Sequence, residues 1–252
     1  MLEILLLSFV QGVTEFLPVS SSAHLILISE QLSFDAKGLT IDISLHLGSL
    51  LAVILFFKKD ITDFLVNKSL LIKIIISSAP TIIMGIILVK FNIIDYLRNT
   101  KIIAFSTIFF GILLYFSDKS QSKKNFKNDF SLKSSIYIGL MQTLALIPGV
   151  SRSGITITAA RFLRFNRIDA AKISFLLSIP TLFATSIYNI LNISNIQNIE
   201  ISYQNFWSTI LSFIFSYITL IFFLKFLKKF SLIFFVFYRI LLGIVILTFL
   251  YL

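Results

Sequence analysis

The sequence predicts an all-α integral membrane protein of about six transmembrane helices and two re-entrant helix pairs, arranged as an inverted-topology repeat. Composition is the first observation behind this. Hydrophobic residues make up 57% of the 252, charged residues only 13%, whereas a soluble domain of this length carries about 25% charge. The second is a set of long apolar runs separated by basic stretches. The third is an internal echo at an offset of 131 residues, in which Gln11–His24 aligns without a gap on Gln142–Ile155. Gln11 matches Gln142, Val19 matches Val150, Ser20 matches Ser151 and Ser22 matches Ser153.

The first copy, from Ile4 to Leu17, is too short to cross a bilayer, which takes roughly 17–25 apolar residues. It ends at Pro18 and a serine cluster, and the apolar run Leu25–Ile28 follows. The second copy repeats the pattern with Ile136–Ile147, Pro148 and Ile155–Leu163. A half-helix that enters and another that leaves by the same face fits both, with the serines capping free N–H groups. Spans are expected over Ile41–Phe57, Leu70–Val89, Ile102–Phe116, Ile173–Ile190, Trp207–Leu224 and Leu232–Leu252. Three spans per half make an odd number of crossings, so the second half should be inverted relative to the first. The chain is then one membrane domain, with repeats at 1–118 and 132–252 and a basic cytoplasmic linker at 119–131.

Basic residues assign the sides. Lys58–Lys68, Asp118–Lys133, Arg161–Lys172 and Lys225–Lys229 carry 15 Lys and Arg, and the opposite loops, Ser29–Thr40, Lys90–Lys101 and Asn192–Phe206, carry 4. The rule that basic loops stay inside places the richer set in the cytoplasm and both termini outside. The first motif then dips in from outside, and the second enters from the cytoplasm. The net charge of +10 does not mark a nucleic-acid binder, because it sits in the loops between apolar runs. No basic region precedes the first apolar run, so no cleavable signal is expected. Lack of cysteine excludes thiolate catalysis and thiolate metal sites, and two histidines are too few for a poly-histidine metal centre.

Polar side chains at membrane depth need a reason to be there. Glu15 should be paired, protonated or on a cation. Gln11 lies one turn earlier on the same helical face, so the two can hold a hard divalent cation, Mg²⁺ or Ca²⁺, together with substrate oxygens. Arg152 offers a planar fork to phosphate oxygens or, equally, an ion pair to Glu15. Ser151, Ser153, Gly154 and Thr156 around it resemble an anion cradle at a helix start. Ser20, Ser21, Ser22 and His24 supply hydroxyls and an imidazole, with His24 three residues from a serine that it could activate. His46 is expected to line the pocket or pack, and Arg239, beside Tyr238, to pair or snorkel.

The run Gln11-x-x-x-Glu15-Phe16-Leu17-Pro18-Val19-Ser20-Ser21-Ser22-Ala23-His24, with Pro148-Gly149-Val150-Ser151-Arg152-Ser153-Gly154, resembles the bacitracin-resistance type of undecaprenyl-diphosphate phosphatase. The likeness extends to Leu47-Gly48-Ser49 and Tyr238-Arg239, so it covers nearly the whole chain. It implies a multi-pass enzyme of the bacterial inner membrane with its site facing the periplasm. Its substrate would be a polyprenyl diphosphate lipid, whose terminal phosphate it removes to recycle the carrier of peptidoglycan synthesis. Bacitracin resistance would follow from overproduction. On this resemblance Ser21 and His24 match the proposed nucleophile and acid–base positions, and Arg152 matches the diphosphate-binding arginine. Gln11 and Glu15 match the metal motif, with Gln11 where relatives can have Glu. Partners are the lipid substrate and membrane lipids, not nucleic acid, and a homodimer is compatible with the sequence. The alternative is a polyprenyl-phosphate transporter or flippase, because inverted repeats with broken helices also serve transport. The acid-phosphatase type of lipid phosphatase uses two histidine motifs, neither of which His24 or His46 matches.

Overall fold

The computed structural model describes residues 1–32, 38–66, 68–194 and 203–251. Parts of the expected outer loops, at 33–37 and 195–202, therefore lie outside the described residues. Among those described the chain is helical, without a strand. The helices are α1 (Leu2–Thr14), α2 (Ser21–Leu32), α3 (Gly38–Phe56), α4 (Lys58–Val66), α5 (Lys68–Lys90), α6 (Ile93–Leu97) and α7 (Thr100–Asp118), then α8 (Phe126–Asp129), α9 (Leu132–Gln142), α10 (Arg152–Phe162), α11 (Arg167–Ser194), α12 (Tyr203–Leu227) and α13 (Ile233–Tyr251).

Five helices, α5, α7, α11, α12 and α13, are long and apolar enough to cross a membrane. The protein is a multi-pass membrane protein. The sixth expected span falls in α3, whose apolar part, Thr40–Phe56, is among the shorter apolar helices. The whole helix has 19 residues and includes Asp42 and His46. Helices α1, α2, α9 and α10 have 13, 12, 11 and 11 residues. At 1.5 Å per residue none can cross a hydrocarbon core of about 30 Å alone, as expected of the short pairs. Pro80 and Pro180 sit inside α5 and α11, where neighbouring helices tolerate the lost backbone bond.

Packing exchanges partners between the two halves. Helix α1 lies against α12, α9 against α5, and α7 against α13. Small residues permit the close approaches. A side chain at Gly12 would press on Phe215 and Ser216, and one at Gly139 on the backbone of Ser77. The core runs from Phe16 and Phe57 through Phe175 and Phe223 to Phe126 and Phe165, and many other large apolar side chains face outward, as a lipid-facing surface requires.

The expected cytoplasmic loops meet at one end of the bundle. Asp118 accepts two hydrogen bonds from Arg167, at 2.7 and 3.0 Å, and one from the Leu232 N–H at 3.1 Å. Arg161 lies 3.6 Å from the same carboxylate and donates to carbonyls of Asp118, Ser120 and Phe165. Lys172 pairs with Asp60 at 2.5 Å. The linker is not loose: Phe126 and Phe130 are buried, and Lys124 bridges to Phe165. Since Arg161 is 2% exposed, Asp118→Ala would strand a buried guanidinium. The expected cost is about 3 kcal/mol, read as a lower thermal midpoint in detergent.

Candidate active site

The two echoing segments form loops with the same internal wiring. Ser20 and Ser151, matched in the alignment, are both non-glycine residues at positive φ, 74° and 68°. Such a backbone is costly for a residue with a Cβ and persists where surrounding contacts enforce it. Each serine hydroxyl accepts from the N–H three residues on, Ala23 at 3.4 Å and Gly154 at 3.1 Å. Each also pairs with the serine two residues on, Ser22 at 3.2 Å and Ser153 at 3.1 Å. Both serines thus start a helix, α2 and α10. Ser153 further donates to the Leu17 carbonyl at 2.7 Å, tying the second loop to the first.

Arg239 holds both loops. It is fully buried, and it donates to the carbonyls of Pro18 (3.3 Å), Gly149 (2.9 Å), Val150 (3.0 Å) and Thr107 (3.2 Å). The expectation that it pairs or snorkels is corrected: it reaches neither water nor, among the described residues, a carboxylate. The broken helices leave backbone carbonyls unpaired in the buried interior, and the guanidinium satisfies them from a distant part of the chain. Room for it is made at Gly154, where a Cβ would lie 2.7 Å from Arg239 Nη1.

Between the loops the reactive side chains meet. Arg152 Nη2 donates to Glu15 Oε1 at 2.8 Å, with side chains 13% and 6% exposed. Ser21 donates to Glu15 Oε2 at 2.6 Å, and Gln11 Nε2 to the same oxygen at 3.0 Å. Arg152 also donates to the Ser174 carbonyl at 3.3 Å. Glu15, Ser21, Gln11 and Arg152 are therefore one cluster, built from α1, α2 and α10. Thr156 borders it with its hydroxyl against Ser174 Oγ, 2.7 Å away, and the Arg152 carbonyl. His46 on α3 keeps Nδ1 against its own turn, 2.8 Å from the Asp42 carbonyl, while its ring lies within electrostatic reach of Glu15 and Arg152.

His24 stands apart from this cluster in its bonding. Its Nδ1 lies 2.7 Å from the Ser20 carbonyl and its Nε2 2.5 Å from the Tyr238 hydroxyl. Ser21, the serine that His24 could activate, hydrogen-bonds to Glu15 instead. The cause is local: Ser21 opens α2 and faces back toward the end of α1, whereas His24 is one turn on and faces α13. Sequence reasoning missed Tyr238 as a neighbour of His24 and Arg239 as the link between loops. The only available signal was a polar pair, Tyr238-Arg239, in an otherwise apolar span.

Among the described residues no three of His, Cys, Asp and Glu are grouped to hold a metal. One atom does fit a hard cation. Gln11 Oε1 is buried without a hydrogen-bond partner, one turn from Glu15, and carbonyl and carboxylate oxygens are what Mg²⁺ and Ca²⁺ take.

Residues 4–245 match the family described as bacitracin resistance protein BacA. The chain belongs to the BacA family. Its relatives include the undecaprenyl-diphosphatase of Pelagibacter ubique (strain HTCC1062), 48% identical over 99% of this chain and 98% of that protein. The undecaprenyl-diphosphatase of Saccharophagus degradans is 42% identical over 96% of this chain and 95% of its own length. That of Jannaschia sp. is 37% identical over 98% of this chain and 97% of its own. The BacA match spans both loops and the α13 arginine that joins them.

Proposed function

We propose that the protein is a phosphatase that hydrolyses undecaprenyl diphosphate to undecaprenyl phosphate and inorganic phosphate, recycling the carrier lipid of peptidoglycan synthesis and thereby supporting bacitracin resistance. The observation that carries the reading is the Arg152–Glu15–Ser21 chain, which places an anion-binding fork, a carboxylate and a hydroxyl in contact. Phosphoryl transfer depends mainly on positioning and charge neutralisation.

In the free protein Arg152 holds Glu15 Oε1. A diphosphate is the stronger competitor for the planar fork, because it carries more charge and presents paired oxygens. As it takes Arg152, Glu15 is left as the acceptor for the Ser21 proton. Of Ser21, His24 and water, Ser21 is the nucleophile this bonding favours, since its hydroxyl alone donates to a carboxylate. Ser21 Oγ bonds to the terminal phosphorus as the bridging P–O bond breaks, and its proton passes to Glu15. The departing undecaprenyl phosphate carries away the electron pair. Glu15 then gives up that proton to solvent, and its carboxylate takes a proton from the water that attacks the phosphoserine, returning it to Ser21 Oγ as the Ser21 O–P bond breaks and phosphate is released. Arg152 and the N–H groups that begin α10, beside Ser151 and Ser153, neutralise charge on the transferred phosphoryl group. His24, at the start of α2 with Ser20 and Ser22, takes up a proton from water at Nε2 and passes it to the leaving oxygen. Gln11 and Glu15 would hold Mg²⁺ or Ca²⁺, which supplies charge neutralisation on the diphosphate oxygens.

The richer basic loops at one end of the bundle support a bacterial inner-membrane topology with both termini, and the site's opening, on the periplasmic side. The outward apolar surface between spans accommodates the prenyl chain.

The test is phosphate release from undecaprenyl diphosphate by purified protein, with chelator and with Mg²⁺ or Ca²⁺ restored. Release is expected to stop with chelator and resume with cation. Terminally ³²P-labelled substrate should also label wild-type protein at Ser21 on rapid acid quench, and leave Ser21→Ala unlabelled. Absence of hydrolysis, with lipid movement in proteoliposomes, would replace the phosphatase by the transporter.

A further inference from the structure

The hydrogen bonds of His24 define where its proton sits. Nδ1 faces the Ser20 carbonyl at 2.7 Å, and a carbonyl oxygen only accepts. Nδ1 therefore carries the ring proton, and in the neutral imidazole Nε2 is an acceptor. The group facing Nε2 at 2.5 Å is the Tyr238 hydroxyl, which is then the donor. The two rings are almost parallel, at 10° with centroids 5.7 Å apart.

Tyr238 approaches from α13, the helix that carries Arg239. One turn of that helix therefore fixes the Pro18 carbonyl just before α2 and the imidazole on α2 itself. The neighbours of Tyr238 on this face, Phe234, Phe237 and Leu241, are exposed hydrocarbon, and Tyr238 itself is 42% exposed. Packing on such a face would be served by phenylalanine. A phenol there needs an acceptor for its hydroxyl, and His24 Nε2 supplies it.

We propose that Tyr238 is a positioning residue for His24, holding the imidazole as the Nδ1–H tautomer and keeping Nε2 as the one basic atom of the ring. The proposal rests on the reading in which His24 handles a proton during hydrolysis. Its consequence is that Nε2 enters the reaction oriented and unprotonated, without a search between tautomers. Tyr238 acts through His24, so its loss should show in turnover and not in substrate affinity.

The full chain, purified in detergent, is assayed for phosphate release from undecaprenyl diphosphate. In parallel, ¹⁵N NMR is recorded on protein labelled at its two histidines. Signals of His24 are those missing from His24→Ala. Tyr238→Phe is expected to lower kcat about tenfold, the effect of one hydrogen bond of about 1.4 kcal/mol, with KM unchanged. The His24 signals should move toward the Nε2–H tautomer. The double variant His24→Ala/Tyr238→Phe should be no slower than His24→Ala. Wild-type kcat with an unaltered tautomer in Tyr238→Phe would overturn the proposal, as would a double variant slowed by the product of the single losses. Full turnover in His24→Ala would remove His24 from the reaction and the proposal with it. That failure is told apart by the histidine spectrum, which still changes in Tyr238→Phe.

Discussion

Glu15→Gln is expected to lower turnover by about 10²–10⁴-fold, the range typical of a lost general base, while the protein remains folded. The glutamine keeps the volume but only one acceptor oxygen, so with that oxygen toward Arg152 its amide NH2 faces Ser21 and Gln11, where Oε2 accepted from both. What disappears is the negative charge: the Ser21 proton has nowhere to go, and a cation beside Gln11 loses its carboxylate. Because the Arg152–Glu15 pair is nearly buried, the uncompensated guanidinium also costs stability, on the order of 3 kcal/mol. Diphosphate should partly return it, since the substrate supplies the missing charge. The check is kcat and thermal midpoint in detergent, measured with and without a non-hydrolysable diphosphate. A variant that hydrolyses at the wild-type rate would remove Glu15 from the chemistry.

Arg239→Lys should also be damaging, although it conserves charge. The guanidinium spans carbonyls of two loops and α7, at Pro18, Gly149, Val150 and Thr107. An ammonium is a compact donor that cannot reach them all. Each carbonyl left bare in a dry interior costs about 1–3 kcal/mol, so both loops should loosen. The expected result is turnover lower by at least about tenfold, with a reduced thermal midpoint and faster proteolysis at the loops. Arg152→Lys, which leaves the loops intact, should impair binding of diphosphate without that loss of stability. Equal stability of Arg239→Lys and wild type would show that the loops hold their shape without the arginine.

The helical membrane fold was readable because hydropathy reports burial in lipid directly. The alignment of Gln11–His24 with Gln142–Ile155 also anticipated that Glu15 and Arg152 approach each other, since each lies in a loop that a bilayer tolerates only when buried. It did not anticipate which groups would bond. Whether Ser21 turns to Glu15 or to His24 depends on side-chain direction at the first turn of α2. That direction is set by the positive φ of Ser20, which no periodicity reveals. Tyr238 and Arg239 were legible only as polar residues in an apolar span. Their partners lie far away in the chain, and a carbonyl is invisible to sequence because every residue has one.

Arg239 also imposes an order on synthesis. A ribosome delivers the two loops to the membrane long before α13, so their carbonyls must wait, wet or paired with something else, until the arginine arrives. Until then the nascent protein holds the reactive residues without the framework that aligns them. Catalytic competence should therefore appear late and abruptly, with insertion of α13, and not accumulate as each earlier segment enters the bilayer.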